Sequence, residues 1–442
     1  MTMPTRYLRI LLPCLALLAP LAAGARTFET KCISPTNTFC RQPAVSATGA
    51  VAWLQTAPDE AHPGNTFVDV IYWKDGKAVN LRDQGFTCMP ERPALFGDEL
   101  VFVGRAGADQ SGQTFGGKTM EDDRPMLTDE QKKLTETVED LFTSSTGARG
   151  KAGGADAVNV EAGPDASAHD AVATNKTESA ASRGGSDVYR YSPAEGLKGI
   201  TAGQGDVFVP VVGEGGAAWQ VGRIWPYGYD IAVWNRAKDA LHLVTTNFYY
   251  MLSPSMQGSK VAFQGWDGFD YEIYLYDLES GELSQLTDNT FDDVSPSVWG
   301  NQVAYVSYPS LTAEVFLWDD GELRKLSSDT KDNACPHIWN GKVVWQGFDG
   351  EDVEIYLYDG AKTVKLSSNT WDDEKPIIAD NVVAWVSYVD GWDAEVVAVD
   401  LADNVTVTLT ENMTDDVEVR TAGGKIVWQA NVRGASSIWL AE

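Results

Sequence analysis

The stretch Lys342–Asp359, KVVWQGFDGEDVEIYLYD, decides the fold of this chain. It holds two short apolar and aromatic runs, Val343–Trp345 and Glu354–Tyr358, on either side of the acidic loop Asp349–Asp352. The first run is too short for a helix and alternates too little for a surface strand, which predicts a buried β-strand. Because a pair of strands is not stable alone, the unit depends on its copies elsewhere in the chain.

Both runs recur along the second half of the chain. The five copies of the first run follow one another at spacings of 42, 40, 40 and 43 residues, and a proline precedes four of them. The copies of the first run are Val261–Gly265, Val303–Ser307, Val343–Gly347, Val383–Ser387 and Ile426–Ala430. Those of the second are Glu272–Asp277, Glu314–Asp319, Glu354–Asp359, Glu395–Asp400 and Ser437–Glu442. A period of about 40 residues with four strands per unit is typical of a β-propeller blade.

Weaker copies extend the pattern towards the N-terminus, at Val51–Gln55, Leu100–Gly104 and Ala217–Gln220. The sequence therefore predicts an all-β protein, a β-propeller with eight blades, or seven if the first or second copy is not a full blade. The last copy ends after its third strand, so the segment Thr27–Ile33 is expected to supply the fourth and close the ring. Such closure hides the open sheet edges.

The two ends of each blade differ in their loops. With strands labelled a to d from the axis outward, the a–b and c–d turns are tight, as at Asn340–Gly341, and all long loops lie on the b–c and d–a side. One insertion, residues 106–186, falls between strands b and c of the second blade and is low in complexity. It contains one predicted helix at about 128–142.

Residues 1–25 have the pattern of a secretory signal peptide, with a basic start, an apolar centre and a small-residue cleavage site. Residues 26–442 would then form the mature propeller, periplasmic or secreted, with no transmembrane anchor. The formal net charge of −29 argues against nucleic acid as a partner and suits solubility, cations or a basic partner surface.

The b–c loops of three blades share the pattern D-G-x-D-x-E. Its carboxylates are Asp267, Asp270 and Glu272; Asp349, Asp352 and Glu354; and Asp390, Asp393 and Glu395. Carboxylates at this density offer the oxygen ligands that Ca²⁺ takes, so calcium is the one cofactor the sequence suggests. Equally, Asp and Gly are residues that build turns. In the d–a connections, Asp293, Asn333, Asp373 and Asp416 are expected near the mouth of the central channel, to bind a cation or to fasten adjacent blades.

Aromatic residues recur in the same loops and predict a binding face. They are Trp266, Phe269, Phe291, Trp371 and Trp392, with Trp225 and Tyr249 from the third blade. Aromatic planes beside carboxylates suit either a protein interface or a sugar-binding surface. The chain has neither a G-x-S-x-G nor an H-E-x-x-H motif, so no catalytic residue is assigned.

Four cysteines follow the apolar leader. The predicted layout places Cys40 and Cys88 in neighbouring d–a connections, which makes a disulfide between them feasible, and a Cys32–Cys40 bond is the alternative. Cys335 is expected to be free and buried.

The strand Glu272–Asp277, EIYLYD, the following Gln285-Leu286-Thr287 strand and the proline-led run to Val343-Val344-Trp345 resemble the TolB-like propeller family. The resemblance covers residues 250–442 clearly and the earlier part faintly. The α/β domain of TolB itself and the usual S-P-D-G before the strand are both missing. The resemblance implies a periplasmic or surface protein that most often binds proteins.

Together these features predict an exported, non-catalytic propeller that binds a protein or a cell-surface component through its b–c and d–a face. The alternative is a carbohydrate-binding or carbohydrate-active secreted propeller.

Overall fold

A computed structural model describes residues 26–58, 66–84, 86–106, 186–201, 206–223, 228–245, 250–327, 332–432 and 434–442. These contain 33 β-strands, one 3-10 helix and no α-helix. The predicted signal peptide, the predicted helix at 128–142, and Trp225 and Tyr249 lie outside the described residues. Among the residues described, none forms a helix with the length and apolarity that a bilayer crossing requires.

The strands group into eight blades, in the order that the repeats predict. The first element is β1 (Thr30–Cys32). Blade 1 consists of β2 (Phe39–Val45), β3 (Val51–Pro58), β4 (Thr66–Lys74) and β5 (Lys77–Asn80), followed by the 3-10 helix Leu81–Gln84. Blade 2 consists of β6 (Phe86–Cys88), β7 (Ala94–Phe96), β8 (Glu99–Ala106), β9 (Asp187–Ser192) and β10 (Gly196–Gly199). Its innermost strand is split, because β6 and β7 both pair with β8. The long insertion connects strands b and c of this blade, as predicted.

The next three blades each contain one four-stranded antiparallel sheet. Blade 3 consists of β11 (Val207–Gly213), β12 (Gly216–Arg223), β13 (Gly228–Asn235) and β14 (Ala240–Leu243). Blade 4 consists of β15 (Met251–Gln257), β16 (Lys260–Trp266), β17 (Tyr271–Asp277) and β18 (Leu283–Gln285). Blade 5 consists of β19 (Asp293–Trp299), β20 (Gln302–Ser307), β21 (Glu314–Asp319) and β22 (Glu322–Lys325).

The last three blades bring the chain back to its first strand. Blade 6 consists of β23 (Asn333–Trp339), β24 (Lys342–Phe348), β25 (Val353–Tyr358) and β26 (Thr363–Lys365). Blade 7 consists of β27 (Asp373–Ala379), β28 (Val382–Val389), β29 (Asp393–Asp400) and β30 (Val405–Thr408). Blade 8 consists of β31 (Asp416–Ala422), β32 (Lys425–Val432), β33 (Ala435–Ala441) and, as its outer strand, β1.

The predicted closure by the N-terminal strand is confirmed. Strand β1 pairs antiparallel with β33, with Thr30 opposite Ala441. A single parallel bridge between Phe39 and Ser436 then joins blade 8 to blade 1. Buried Ser34 reinforces the junction, since its Oγ accepts the N–H of Ile438 at 2.7 Å. The edge of β33 is thereby covered, and the ring needs no further strand.

Eight apolar clusters account for the stability of the described ring, one between each pair of consecutive blades. Strand β24 shows the principle: Val343 and Trp345 pack towards blade 5, whereas Val344 packs towards blade 7. A strand covered on both faces is apolar throughout, which explains the lack of alternation in its sequence.

One position of strand b carries a large buried aromatic residue in every blade, and each is at most 2% exposed. These residues are Trp53, Phe102, Trp219, Phe263, Tyr305, Trp345, Trp385 and Trp428. They fill the same place in successive clusters, so the aromatic residue of the repeat is a core residue.

A β-bulge interrupts strand a in seven of the eight blades. The bulged residue has φ between 49° and 58° and in six of the seven cases precedes a proline. These residues are Gln42, Val209, Ser253, Ser295, Cys335, Lys375 and Glu418. In three blades the bulged N–H donates to a glutamine of the preceding blade, as Ser295 N does to Gln264 Oε1 at 2.9 Å. The glutamine of the VAFQG pattern therefore links neighbouring blades.

A second link joins the innermost strands. A side chain of one strand a accepts an N–H from the strand a of the next blade. Ser255 Oγ accepts the N–H of Val298 at 3.3 Å, and Ser297 Oγ accepts that of Ile338 at 3.1 Å. In blade 6 the acceptor is His337 Nδ1, which receives the N–H of Ile378 at 3.3 Å. Burial lowers the pKa of His337 to about 4, so the ring stays neutral and keeps its acceptor.

The structure corrects the cysteine predictions. Cys40 and Cys88 are both free, and they lie within strands β2 and β6 rather than in the connections before them. Cys40 packs in the cluster between blades 8 and 1, and Cys88 in the one between blades 1 and 2. Blade 1 therefore separates the two thiols. Cys335 is free, as expected, but exposed, because it occupies the bulge of its strand.

Candidate functional site

The described b–c loops and d–a connections emerge at the same end of their blades and form a surface that we call the loop face. Its described b–c loops in blades 4 to 7 are residues 267–270, 308–313, 349–352 and 390–392. The described d–a connections include residues 286–292, 366–372 and 409–415. All predicted binding and metal-ligating residues within the described part belong to this face or to the strand ends beside it.

The acidic motif forms the same turn in blades 4 and 6. Asp267 N donates to Asp270 O at 3.1 Å, and Asp267 Oδ1 accepts the N–H groups of Phe269 and Asp270 at 2.8 and 3.2 Å. In blade 6, Asp349 Oδ1 accepts the N–H groups of Glu351 and Asp352 at 2.9 and 3.3 Å. The first aspartate of the motif therefore builds the turn, as short polar side chains commonly do.

The same turn also brings carboxylates together. In blade 4, one oxygen each of Asp267, Asp270 and Glu272 lie within 4.8 Å of one another, and blade 6 repeats the arrangement with its own three residues. Two oxygens bound to one Ca²⁺ at about 2.4 Å are at most about 4.8 Å apart, so either group could in geometry share a single ion.

The predicted third group is not assembled. Asp390, Asp393 and Glu395 do not form such a cluster within the described residues. Blade 7 has one more residue between its paired strand ends, because Ser387 pairs with Glu395 where blade 4 pairs Gly265 with Glu272. The extra residue changes the turn. Asp390 takes φ of 54°, and its loop is closed by Trp392 N donating to Val389 O at 3.3 Å.

Blades 4 and 6 differ in the charge beside the cluster. In blade 6, Lys365 Nζ lies 2.7 Å from Asp349 Oδ2 and 2.9 Å from Glu354 Oε1. The bond from Lys365 holds the pKa of Asp349 down at about 2. Blade 5 has the same lysine, Lys325, 2.9 Å from Glu314 Oε1. In blade 4 the register places Gln285 at this position, which leaves the carboxylates without an ammonium group.

Asp270 is the most unusual group of this face. It is 6% exposed, and neither of its carboxylate oxygens has a hydrogen-bond partner among the described residues. Burial, together with the nearby charges of Asp267, Asp292, Asp293 and Asp288, raises the pKa of Asp270 to about 6. A buried carboxylate with no donor and several negative neighbours is costly, unless a cation compensates it.

The residues predicted at the channel mouth are buried at the starts of the innermost strands. Asp293, Asn333, Asp373 and Asp416 are all at most 2% exposed. Asn289 links two of the carboxylates. Its Nδ2 donates to Asp293 Oδ2 at 2.7 Å, and its backbone N–H donates to Glu272 Oε1 at 2.7 Å.

The same link from glutamate through asparagine to aspartate recurs in the next connections. Its members are Glu354, Asn369 and Asp373, and Glu395, Asn412 and Asp416. Burial raises the pKa of Asp416 to about 6. These contacts support the fastening role, because each link ties the third strand of one blade to the first strand of the next.

The predicted aromatic residues divide into two groups. Phe269 and Trp392 project from their loops and are 86% and 89% exposed. Trp266, Phe291 and Trp371 are half-buried, and the Trp266 ring packs edge-on against Tyr271 at 5.3 Å. The two projecting rings are thus available to a partner.

Sequence reasoning missed several exposed apolar residues of the same face. Leu311 and Met413 are 93% and 94% exposed, and Tyr308, Phe348, Val432 and Phe39 are exposed in part. A signal was present, since Tyr308 and Phe348 occupy the repeat position at the end of strand b that Trp266 occupies in blade 4. At the junction of blades 8 and 1, a depression of about 480 Å³ is lined by Phe39, Arg41, Asp415 and Gln429, among others.

Solved structures resemble this chain at low sequence identity. A prolyl endopeptidase matches with a TM-score of 0.51 at 8% identity, over 90% of this chain and 55% of that chain. The β-propeller domain of the Trilobed protease from Pyrococcus furiosus gives 0.48 at 11% identity, over 85% and 98%. TolB from Acinetobacter baumannii gives 0.36 at 15% identity, over 58% and 76%. No family model and no curated protein matches the sequence. These likenesses concern the fold alone.

Proposed function

We propose that this chain is an exported, TolB-like β-propeller that performs no catalysis and binds a protein partner through its loop face. The observation that carries the proposal is a set of four large apolar side chains that project from this face, each 86% to 94% exposed: Phe269, Leu311, Trp392 and Met413. No other large apolar side chain among the described residues is more than 57% exposed. Covering such side chains is worth about 2 kcal/mol each, whereas leaving them in water gains the protein nothing.

The surroundings of these residues indicate the chemistry of the partner. Three of the four, Phe269, Trp392 and Met413, lie within two residues of an aspartate in a chain with a net charge of −29; these aspartates are Asp267, Asp270, Asp390, Asp393 and Asp415. A partner with apolar pockets bordered by lysine and arginine would be complementary in both respects, and its approach would be accelerated by charge.

The test compares two sets of variants of the full chain. Replacing Phe269, Leu311, Trp392 and Met413 together with serine removes the projecting apolar groups of the loop face. The matched control replaces Phe96, Leu243 and Leu323 with serine; these are 42%, 47% and 57% exposed, at an a–b turn and on two outer strands. Cross-linking and capture from the extracytoplasmic fraction should recover a protein with the wild type and the control, and affinity for it should fall at least about 100-fold in the loop-face variant.

Equal capture by all three proteins would refute the proposal. Binding in a glycan array that disappears in the loop-face variant would assign the face to carbohydrate instead. Deleting residues 107–185 offers a second test, because Gly104 and Asp187 are already paired and a short turn can join them. The ring should then still fold, with weaker partner capture.

A further inference from the structure

In blades 4, 5 and 6, one position of strand d lies next to the glutamate near the start of strand c. In blades 5 and 6 this position holds a lysine whose ammonium group contacts that glutamate, Lys325 with Glu314 and Lys365 with Glu354, both at 2.9 Å. In blade 4 the equivalent residue is Gln285, opposite Tyr274 in the ladder. The chain thus supplies its own cation in two blades and leaves it out in the third.

Blade 4 nevertheless holds the larger excess of negative charge. Its cluster of Asp267, Asp270 and Glu272 is joined by Asp292, whose Oδ1 accepts the N–H of Tyr271 at 3.0 Å, just as Asp372 Oδ1 accepts the N–H of Val353 at 2.9 Å in blade 6. The two blades therefore differ in the lysine and not in the number of these carboxylates. No lysine or arginine in the described part of the chain forms an ion pair with any of these four carboxylates. The negative charge that Lys365 neutralises in blade 6 is therefore present in blade 4, where no described lysine or arginine neutralises it.

The unpartnered state of Asp270 points to what is missing. Both of its oxygens are buried without a hydrogen-bond donor, although they lie beside the oxygens of Asp267 and Glu272. The corresponding Asp352 in blade 6 is only half-buried, so water can reach its carboxylate. Buried carboxylates that face one another in this way are normally paired or bound to a metal ion.

We propose that blade 4 binds one Ca²⁺ ion between Asp267, Asp270 and Glu272, in the role that the lysine ammonium group plays in blade 6. Ca²⁺ accepts six to eight oxygen ligands in a flexible arrangement, so carboxylates from one short loop and a strand end, completed by water, suit it. Mg²⁺ demands a near-ideal octahedron, and Zn²⁺ favours nitrogen and sulfur ligands, of which this cluster has none. This proposal does not rest on the proposed partner binding.

The test uses the full chain, freed of metal with a chelator and titrated with Ca²⁺ and, separately, with Mg²⁺. Calorimetry should show one Ca²⁺ per chain with a Kd of about 0.1–1 mM or tighter, and the melting temperature should rise on Ca²⁺ addition. Tb³⁺ offers an independent readout, because Trp266 adjoins Asp267 and should sensitise the luminescence of an ion bound there.

Two variants locate the site, and a third controls for the added charge. Gln285→Lys should abolish Ca²⁺ binding and raise the melting temperature of the metal-free protein, because it installs the ammonium group of blade 6. Asp270→Asn should weaken binding at least tenfold. Thr408→Lys places a lysine at the equivalent position of blade 7, whose carboxylates are not clustered, and should leave Ca²⁺ binding unchanged.

The proposal is overturned if the wild type shows neither heat nor a melting shift up to about 10 mM Ca²⁺, well above the range of weak extracellular sites. It is equally overturned if binding occurs but survives in Gln285→Lys and Asp270→Asn. Should Gln285→Lys fail to fold, Asp270→Asn alone decides, since it changes neither the size of the side chain nor the turn.

Discussion

Replacing Lys365 with glutamine would give blade 6 the residue that blade 4 has at this position. The ammonium group of Lys365 lies 2.7 Å from Asp349 and 2.9 Å from Glu354, and the Glu354 side chain is only 1% exposed. After the change Glu354 keeps two donors, Ser367 Oγ at 2.5 Å and Asn369 N at 3.1 Å, but no counter-charge.

The expected loss of stability is about 2 kcal/mol. Removing one partner of a fully buried ion pair costs about 3–5 kcal/mol. The cost here is smaller, because 29% of the Lys365 side chain is exposed and Glu354 retains two hydrogen bonds. The contact with Asp349 adds less than about 1 kcal/mol, since both side chains of that pair lie at the surface and are screened by solvent.

Urea unfolding at pH 7, with the protein freed of metal by a chelator, measures this loss of stability. The matched control is Lys362→Gln in the same hairpin, where the lysine is exposed and forms no ion pair with a described residue. It should change the free energy of unfolding by less than about 0.5 kcal/mol. A loss below about 0.5 kcal/mol for Lys365→Gln would refute the idea that lysine neutralises a buried carboxylate here. Ca²⁺ at about 100 times its Kd should restore about 2.7 kcal/mol to Lys365→Gln, if the emptied position then binds the ion.

Three further predictions follow from the ring. Trp345→Ala should cost about 3–5 kcal/mol in urea unfolding by opening a cavity in the cluster between blades 5 and 6, whereas Trp345→Phe should cost less than half of that, because blade 4 has Phe263 there. Because the pKa of His337 is lowered to about 4, the free energy of unfolding should fall by about 2 kcal/mol as the pH drops from 6.5 towards 4. His337→Ser, which copies Ser297, should remove that part of the pH dependence, and an unchanged profile would contradict the prediction. Removing residues 26–33 should expose the edge of β33 and produce dimers or aggregates in size-exclusion chromatography, whereas a monomer of unchanged melting temperature would show that β1 is dispensable.

The repeat made most of the architecture predictable. A strand that is buried on both faces has to be apolar at every position, so runs such as Val343–Trp345 identify strand b without any tertiary information. The last copy lacks a fourth strand, and the open edge of its blade has to be covered. The sequence therefore also predicted the role of β1. The bulge in strand a was not predictable, since a residue before proline ordinarily adopts an extended conformation.

The candidate site was predictable in its location and not in its composition. The acidic motif occurs three times, yet blade 7 has one additional residue in its turn, and its three carboxylates do not form a cluster. Cys40 and Cys88 likewise occupy similar positions in their repeats, shortly before the proline of strand a. They pack on opposite sides of blade 1, however, and therefore do not meet. Sequence spacing records neither the turn type nor the face of a sheet on which a side chain emerges.

The sequence by itself determined the strand order within a blade and the end of the ring that carries the long loops, because hydrophobic runs and turn residues act locally and repeat. It predicted eight blades with seven as the alternative, and the structure has eight. Only the tertiary structure decided which carboxylates meet, which of them Lys365 neutralises, and that Asp270 in blade 4 is left without a partner. Those outcomes depend on the register between strands c and d. In blade 4 this register places Gln285, where blades 5 and 6 have a lysine, next to Glu272, which lies 13 positions earlier in the sequence.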